Sequence, residues 1–327
     1  VNTWDVVGFA NEHNLSAIAV IPSRPWEILV GVASNFSDGI AGNLSRSTDW
    51  GTTWSKVVEG VSIDDICVDQ SDDRIIYISF SANDLSPPGV LKSNDAGVTW
   101  VKADSGIYLD SETSPQVLCI DPSNHGTLYC GTAGFFGGAL YKSTDQAKSW
   151  AIIPAITPGV PPPLSGGVSA IAIDPTNSSV LYVGVVQTGK IHKSSDAGST
   201  FEVIYDPGLG VPEVLGIDPL HSGTVYLGIR GGGLFRSTNH GSSWTGNLLP
   251  VPAAAEILFQ DDSTVFTCAG WDSSGGVYGS RGAGGSWTLL SYSSHFVRAI
   301  ALDRQYRFLY AADASGGSVG VFRYKIP

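Results

Sequence analysis

The chain reads as an all-β protein, a seven-bladed β-propeller of four-stranded antiparallel blades. Three observations predict it. Two short motifs recur, the first at intervals of 43–51 residues, each interval holds four strand-length segments, and the N-terminal segment matches the one strand that the last repeat lacks. Four short strands per unit at that period is the pattern of radial blades around a channel.

The first motif has the form Ser-x-Asp-x-Gly-x-x-Trp. It appears as STDWGTTW from Ser47, SNDAGVTW from Ser93, STDQAKSW from Ser143, SSDAGSTF from Ser194, STNHGSSW from Ser237 and SRGAGGSW from Ser280. A second motif, an apolar strand, a turn and another strand, precedes each copy. It starts at Ile18, Ile66, Leu118, Ile171, Leu215, Leu258 and Ile300, which counts seven units. Branched and small residues alternate through it, Gly marks the turns, and no helical period is sustained.

Within one unit the expected strands are Leu118–Asp121, Thr127–Gly131, Ala139–Ser143 and Trp150–Ile153, named here inner, second, third and outer. The seventh unit stops after three. Thr3-Trp4-Asp5-Val6-Val7-Gly8 matches Thr53-Trp54-Ser55-Lys56-Val57-Val58, so the N-terminus is expected to supply the outer strand of the last blade. That arrangement makes residues 1–327 one closed domain.

The Asp turn has a physical rationale. Its carboxylate accepts backbone N–H groups inside a tight turn, the Gly takes positive φ, and the Trp packs between neighbouring sheets. Ala147 replaces the Gly of the third copy and Gly282 replaces the Asp of the sixth, so both turns are expected to be looser. At the second position of the inner strands stand Ala19, Cys67, Cys119, Ala172, Gly216, Phe259 and Ala301. Crowding near the axis favours small side chains there, and Phe259 is expected to plug the channel.

Composition excludes several functions. With 43% hydrophobic and 15% charged residues the chain folds, and no apolar run reaches the roughly 18 residues of a spanning helix, so no membrane insertion is expected. A net charge of −12 and a pI near 4.7, with scattered Lys and Arg, argue against nucleic acid. The four cysteines have no metal spacing, and buried free thiols are the expected state, although Cys119 and Cys130 flank a hairpin and could face each other. No methionine is present, so Val1 is read as a processed or cut start, and sequons stand at Asn14, Asn35, Asn43 and Asn177. Together these point to a secreted or extracytoplasmic protein. No cofactor motif, metal site or Ser-His-Asp arrangement emerges from the spacing of the six histidines.

The recurrent turn resembles the Asp-box, or BNR, repeat of sialidases, two-domain xyloglucanases, sortilin-type receptors and a photosystem II assembly factor. The resemblance covers nearly the whole chain and implies the propeller; function does not follow from fold. Sialidases of this kind need three converging arginines and an Arg-Ile-Pro segment, which is absent, so sialidase activity is not expected. The xyloglucanases imply two such propellers with acidic residues across the cleft between them, of which this chain would be one. The assembly factor implies a lone propeller with a basic patch, and no Arg cluster is visible here.

Candidate residues lie on the face opposite the Asp turns. Aligning the blades just before each inner strand gives a ring of Ser16, Asp64, Gln116, Ser169, Glu213, Glu256 and Arg298 around the channel mouth, with Arg230 nearby. Carboxylates whose environments drive their pKa values apart divide acid and base roles, as in glycoside hydrolysis, which makes Asp64, Glu213 and Glu256 the candidate catalytic groups. A solvated polar rim is the other reading of the same ring. The longer loops carry Phe36, Asp84, Tyr108, Asp110, Phe135, Phe136 and Trp271, where aromatic faces beside carboxylates suit sugar rings, or else pin the loops to the blades. The expected function is binding of an extended ligand, polysaccharide by preference, with glycoside hydrolysis as a further step. The alternative is a non-catalytic platform for a protein partner.

Overall fold

A computed structural model of the chain describes residues 4–9, 14–34, 41–82, 86–134, 137–154, 166–208, 210–246, 248–249, 251–260, 264–269, 275–282, 284–290, 296–313 and 320–327. These form seven separate antiparallel sheets in a ring. Blade 1 consists of Leu15–Ile21, Arg24–Val32, Asn43–Ser47 and Ser55–Glu59; blade 2 of Ser62–Val68, Ile76–Ser81, Gly89–Ser93 and Val101–Lys102. Blade 3 has Thr113–Ile120, Leu128–Gly134, Leu140–Ser143 and Ala151–Ile153, and blade 4 has Val168–Ile173, Leu181–Val185, Ile191–Ser194 and Glu202–Tyr205. Blade 5 holds Val211–Ile217, Val225–Arg230 and Gly233–Ser237, and blade 6 holds Glu256–Phe259, Thr264–Ala269, Gly276–Arg281 and Thr288–Leu289. Val297–Asp303, Phe308–Asp313 and Gly320–Lys325 make blade 7, completed on its outer side by Trp4–Gly8.

The closure is as the repeat predicts. Trp4 pairs with Tyr324 and Val6 with Phe322 across an antiparallel ladder, and the Trp4 indole donates to the Leu290 carbonyl of blade 6 at 2.8 Å. One blade departs from the four-strand expectation. In blade 5 the outer strand shrinks to a single bridge between Arg236 and Thr245, and the chain then turns inward to bury Leu249, Val251 and Ala254.

Seven apolar clusters hold the ring, one in each gap between neighbouring blades. Leu15, Val30 and Val32 of blade 1 pack with Ala299, Tyr310 and Val321 of blade 7, while Leu118 and Cys130 of blade 3 pack with Tyr77 and Val90 of blade 2. Both faces of each sheet are therefore buried, which is why second strands such as Ile28–Val32 read as continuous apolar runs rather than an alternation. Tyr77, Tyr129, Tyr182, Tyr226 and Tyr310 occupy one repeated second-strand position and are fully buried. Beside three of them a third-strand lysine lies over the ring, with Lys142 5.2 Å from the Tyr129 centroid, and each lysine donates to a turn carbonyl of the next blade.

Five of the six Asp turns share one hydrogen-bond set. In the first, the Ser47 hydroxyl donates to Asp49 at 2.9 Å and accepts the Gly51 N–H at 2.8 Å, while Asp49 accepts the N–H and hydroxyl of Thr53 at 2.8 and 2.6 Å. Asp95, Asp145 and Asp196 are held the same way, and those bonds pull their carboxyls down to about 2. The third turn is not looser than the others. Ala147 takes φ 62°, and its N–H reaches Ser143 at 2.9 Å, so the side-chain clasp holds a non-glycine residue in a left-handed conformation. A second recurrent aspartate closes the inner-to-second turn of blades 2, 3, 4, 5 and 7, as where Asp121 accepts the N–H groups of Ser123 and Asn124.

Two further expectations change. Cys119 pairs with Tyr129 and Cys130 with Leu118, so the two thiols point to opposite faces, and all four cysteines are free. Phe259 does not plug the channel: its ring lies 5.8 Å from that of Tyr226, in the space that Gly216 leaves by having no side chain. Asn43 is buried in a strand, where no glycan fits, whereas Asn177 is exposed in a turn. Among the described residues no helix is long and apolar enough to cross a membrane.

Candidate functional site

The inner strand of every blade is a sheet edge, so its channel-facing backbone groups lack a ladder partner. Six of these strands also carry a bulge. The pairing skips Ser16, Asp64, Gln116, Ser169, Glu213 and Arg298, the residues expected just ahead of the strands, which lie instead inside them. A bulge leaves one residue unpaired and re-aims its side chain. Glu256 opens the inner strand of blade 6 without a bulge. All seven residues border one cavity of about 360 Å³ at the channel mouth, together with Asp65 and Arg230.

The ring is cross-linked. Ser81 donates to Asp64 at 2.5 Å and lies 3.2 Å from Ser114, which accepts from Gln116 at 2.8 Å, a chain of polar groups running from blade 2 to blade 3. Glu213 and Arg230 form an ion pair at 2.5 Å within blade 5. Ser169 donates to the Pro212 carbonyl of the next blade.

Two acids serve the strand edges. Asp65 accepts the N–H of Leu118 at 2.8 Å, and Glu256 accepts the N–H of Ile300 at 2.7 Å, each reaching from its own blade to the next. Burial raises all three acids on this wall. Asp64 is pushed up to about 7 by desolvation, with Ser81 and Arg298 pulling it back and Asp65 adding to the rise. Desolvation takes Asp65 to about 6 and Glu256 to about 8, against the backbone bonds that favour their charged forms. Groups that hold or release a proton near neutral pH, beside an ion pair and Arg298, can exchange protons and hydrogen-bond with a hydroxyl-rich ligand. Glu256 also borders a second, more apolar cavity of about 320 Å³ lower in the channel, so it sits between the two.

Asp64, Glu213, Glu256, Arg230 and Arg298 thus meet at one site. Tyr108 and Asp110 do not border it; they bond to each other on the connection from blade 2 to blade 3. Phe36, Asp84, Phe135, Phe136 and Trp271 fall outside the described residues. Asp65 was not expected. The signal for it is local: the same position in the other blades holds Ala17, Val117, Ala170, Val214, Ile257 and Ala299, so a carboxylate there breaks an apolar column. Among the described residues no cluster of three or more His, Cys, Asp or Glu is placed to hold a metal ion.

No protein-family model matches the chain. In sequence it is similar to a xyloglucanase of Paenibacillus sp, 27% identical over 322 residues, covering 88% of this chain and 27% of that protein. The chain therefore spans less than a third of the length of this relative, and the same holds for a Hypocrea jecorina xyloglucanase, 24% identical over 229 residues, covering 59% of this chain and 27% of that protein. In structure it superposes on the GH74 enzyme of Niastella koreensis with a TM-score of 0.71 at 17% identity, over 98% of this chain and 55% of that one. YCF48 from Cyanidioschyzon merolae matches with a TM-score of 0.66 at 15% identity, over 99% and 98% of the two chains. These structures share the propeller fold.

Proposed function

We propose that the propeller binds a polysaccharide of the xyloglucan class on the face that carries the channel mouth, in an extracytoplasmic setting. The observation that supports this reading is the residue-level similarity to xyloglucanases, which runs along most of the blades. The ring supplies the chemistry. Carboxyl groups and guanidinium groups around a polar cavity exchange hydrogen bonds with sugar hydroxyls, bonds that the lower dielectric of a partly enclosed site strengthens.

Hydrolysis is the finer reading of the same site. Cleavage of a glycosidic bond needs one carboxyl that keeps its proton and a second that is ionised. Asp64, raised to about 7, fits the proton-holding role, and Glu213, held as an ion pair with Arg230, fits the other. Glu256, between the two cavities and bonded to Ile300, is read as a support for the wall that also contacts ligand.

Calorimetric titration with xyloglucan oligosaccharides and with unbranched cello-oligosaccharides tests the proposal, alongside release of reducing ends. Binding weakened at least about tenfold in Asp64→Asn and Glu213→Gln, equivalent to roughly 1.4 kcal/mol, supports it. Absence of binding to either glucan, or affinities untouched by both substitutions, overturns it and favours the protein-platform reading. End-to-end likeness to the single-propeller YCF48 motivates that second reading.

A further inference from the structure

The sixth Asp turn keeps part of its backbone frame but has lost the group at its centre, and with it the N–H bond to the serine hydroxyl that the five sister turns make. In five sister turns a serine hydroxyl, the N–H four residues after the first acid or amide, and that residue's hydroxyl close on one Asp or Asn side chain, with the N–H bond at 2.8–2.9 Å in each. The corresponding positions in the sixth turn are Ser280, Gly282 and Ser286. Gly282 presents no carboxylate, while the Gly285 N–H still reaches the Gly282 carbonyl at 3.1 Å and Gly284 keeps the positive φ, 78°, of its counterparts.

The consequence is a set of vacant donors. Ser280 is 1% exposed and its hydroxyl has no partner among the described residues, and Trp287, whose counterparts at Trp54, Trp100 and Trp244 donate to a turn carbonyl, is also without one. Ser280 and Ser286 border a cavity of about 650 Å³ between blades 6 and 7, with Arg281 and Arg307 in its wall and Phe266 and Tyr324 as apolar surface. Among the described residues no Asp or Glu side chain lines it, and one Arg307 nitrogen donates to the Pro327 carbonyl at 2.7 Å. The cavity has a cause in the repeat. Gly279 stands where blades 2, 3 and 4 carry the lysine that crosses to the next blade's turn, and blade 7, closed by the N-terminal strand, offers no such turn to cross to.

We propose that this gap is a carboxylate-binding site, in which an external carboxylate takes the place of the missing aspartate, accepting from Ser280 and Ser286 and balanced by Arg281 and Arg307. Its ligand is a carboxylate borne by a uronic acid or by an acidic peptide side chain; the turn chemistry is the same for both. The site lies on the face opposite the acid ring and is independent of the polysaccharide reading.

Thermal unfolding in sodium acetate against sodium chloride at matched ionic strength tests it. The expected result is a saturable rise in Tm with acetate that vanishes in Gly282→Asp, whose own side chain fills the position. Gly282 has φ 101°, a strained geometry for Asp, so Ser280→Ala provides a second variant in which the acetate response has to shrink at least about threefold, roughly 0.65 kcal/mol. Glucuronate and an N-acetylaspartate amide, titrated the same way, distinguish a sugar-borne from a peptide-borne carboxylate. No acetate response beyond chloride, or a response that persists in both variants, overturns the proposal.

Discussion

Asp65 of blade 2 accepts the backbone N–H of Leu118 of blade 3 at 2.8 Å, joining two inner strands that belong to separate sheets. The bond satisfies an edge N–H in a place that water reaches poorly, and the same carboxylate contributes to the electrostatics of the channel mouth. Asp65→Ala is expected to lose about 1–3 kcal/mol, the cost of leaving a buried donor unpaired. Asp65→Asn is expected to lose less, since its amide oxygen still accepts. Urea denaturation of the two variants measures the difference, and equal stabilities would show that the N–H is solvated.

Stability is expected to peak near pH 4 and fall on both sides. Asp64, Asp65 and Glu256 sit at about 7, 6 and 8, so between pH 4 and 8 the folded state retains protons that the unfolded chain has released. Stability therefore declines as pH rises through that window. The turn aspartates at about 2 act oppositely, favouring the fold above pH 4 and losing that contribution as pH falls towards 2, with a shallow limb because they are solvent-screened. Tm measured from pH 3 to 8 checks the shape, and Asp64→Asn with Glu256→Gln should flatten the upper limb.

Tyr129 and Lys142 are expected to be energetically coupled. The tyrosine hydroxyl and the lysine ammonium both donate to the Ala197 carbonyl of blade 4, at 3.0 and 2.9 Å. Removing one leaves the carbonyl bonded to the other. A double-mutant cycle of Tyr129→Phe and Lys142→Met should therefore give a combined loss exceeding the sum of the single losses by about 0.5–1 kcal/mol. Strict additivity would mean that the two donors act on the carbonyl independently.

Trp4 should matter more than its place near a chain end suggests. It stacks on Tyr324 with centroids 5.2 Å apart and bonds to Leu290, so it ties the closing strand to blades 7 and 6. Trp4→Ala is expected to cost about 3 kcal/mol, at the low end for truncating a packed aromatic because this one is half-buried. Chemical denaturation gives the value directly, and a loss under about 1 kcal/mol would mean that the blade closes without it.

Much of the architecture was legible because a propeller is built from local units. Ser47, Asp49, Gly51 and Thr53 contact one another within seven residues, so their pattern is visible in the chain, as is the match of Trp4 to Trp54. The shrunken outer strand of blade 5 was not, since it depends on Leu249 and Val251 finding burial between blades. Nor was the tightness of the third turn. A missing glycine suggested slack at Ala147, but the clasp of Ser143 and Asp145 compensates for the left-handed backbone.

The amino-acid sequence determined the seven-fold repeat, the turn chemistry, the closing strand and the seven positions that ring the channel, because each rests on residues near one another in the chain. Tertiary structure decided what that ring can do. Asp65 joins it, Glu213 is taken by Arg230, and Asp64 and Glu256 move towards neutral pKa values only when neighbouring blades bury them. The physical reason is sequence separation: the partners of Asp65 and Glu256 lie 53 and 44 residues away, one blade along, where no local pattern reports them.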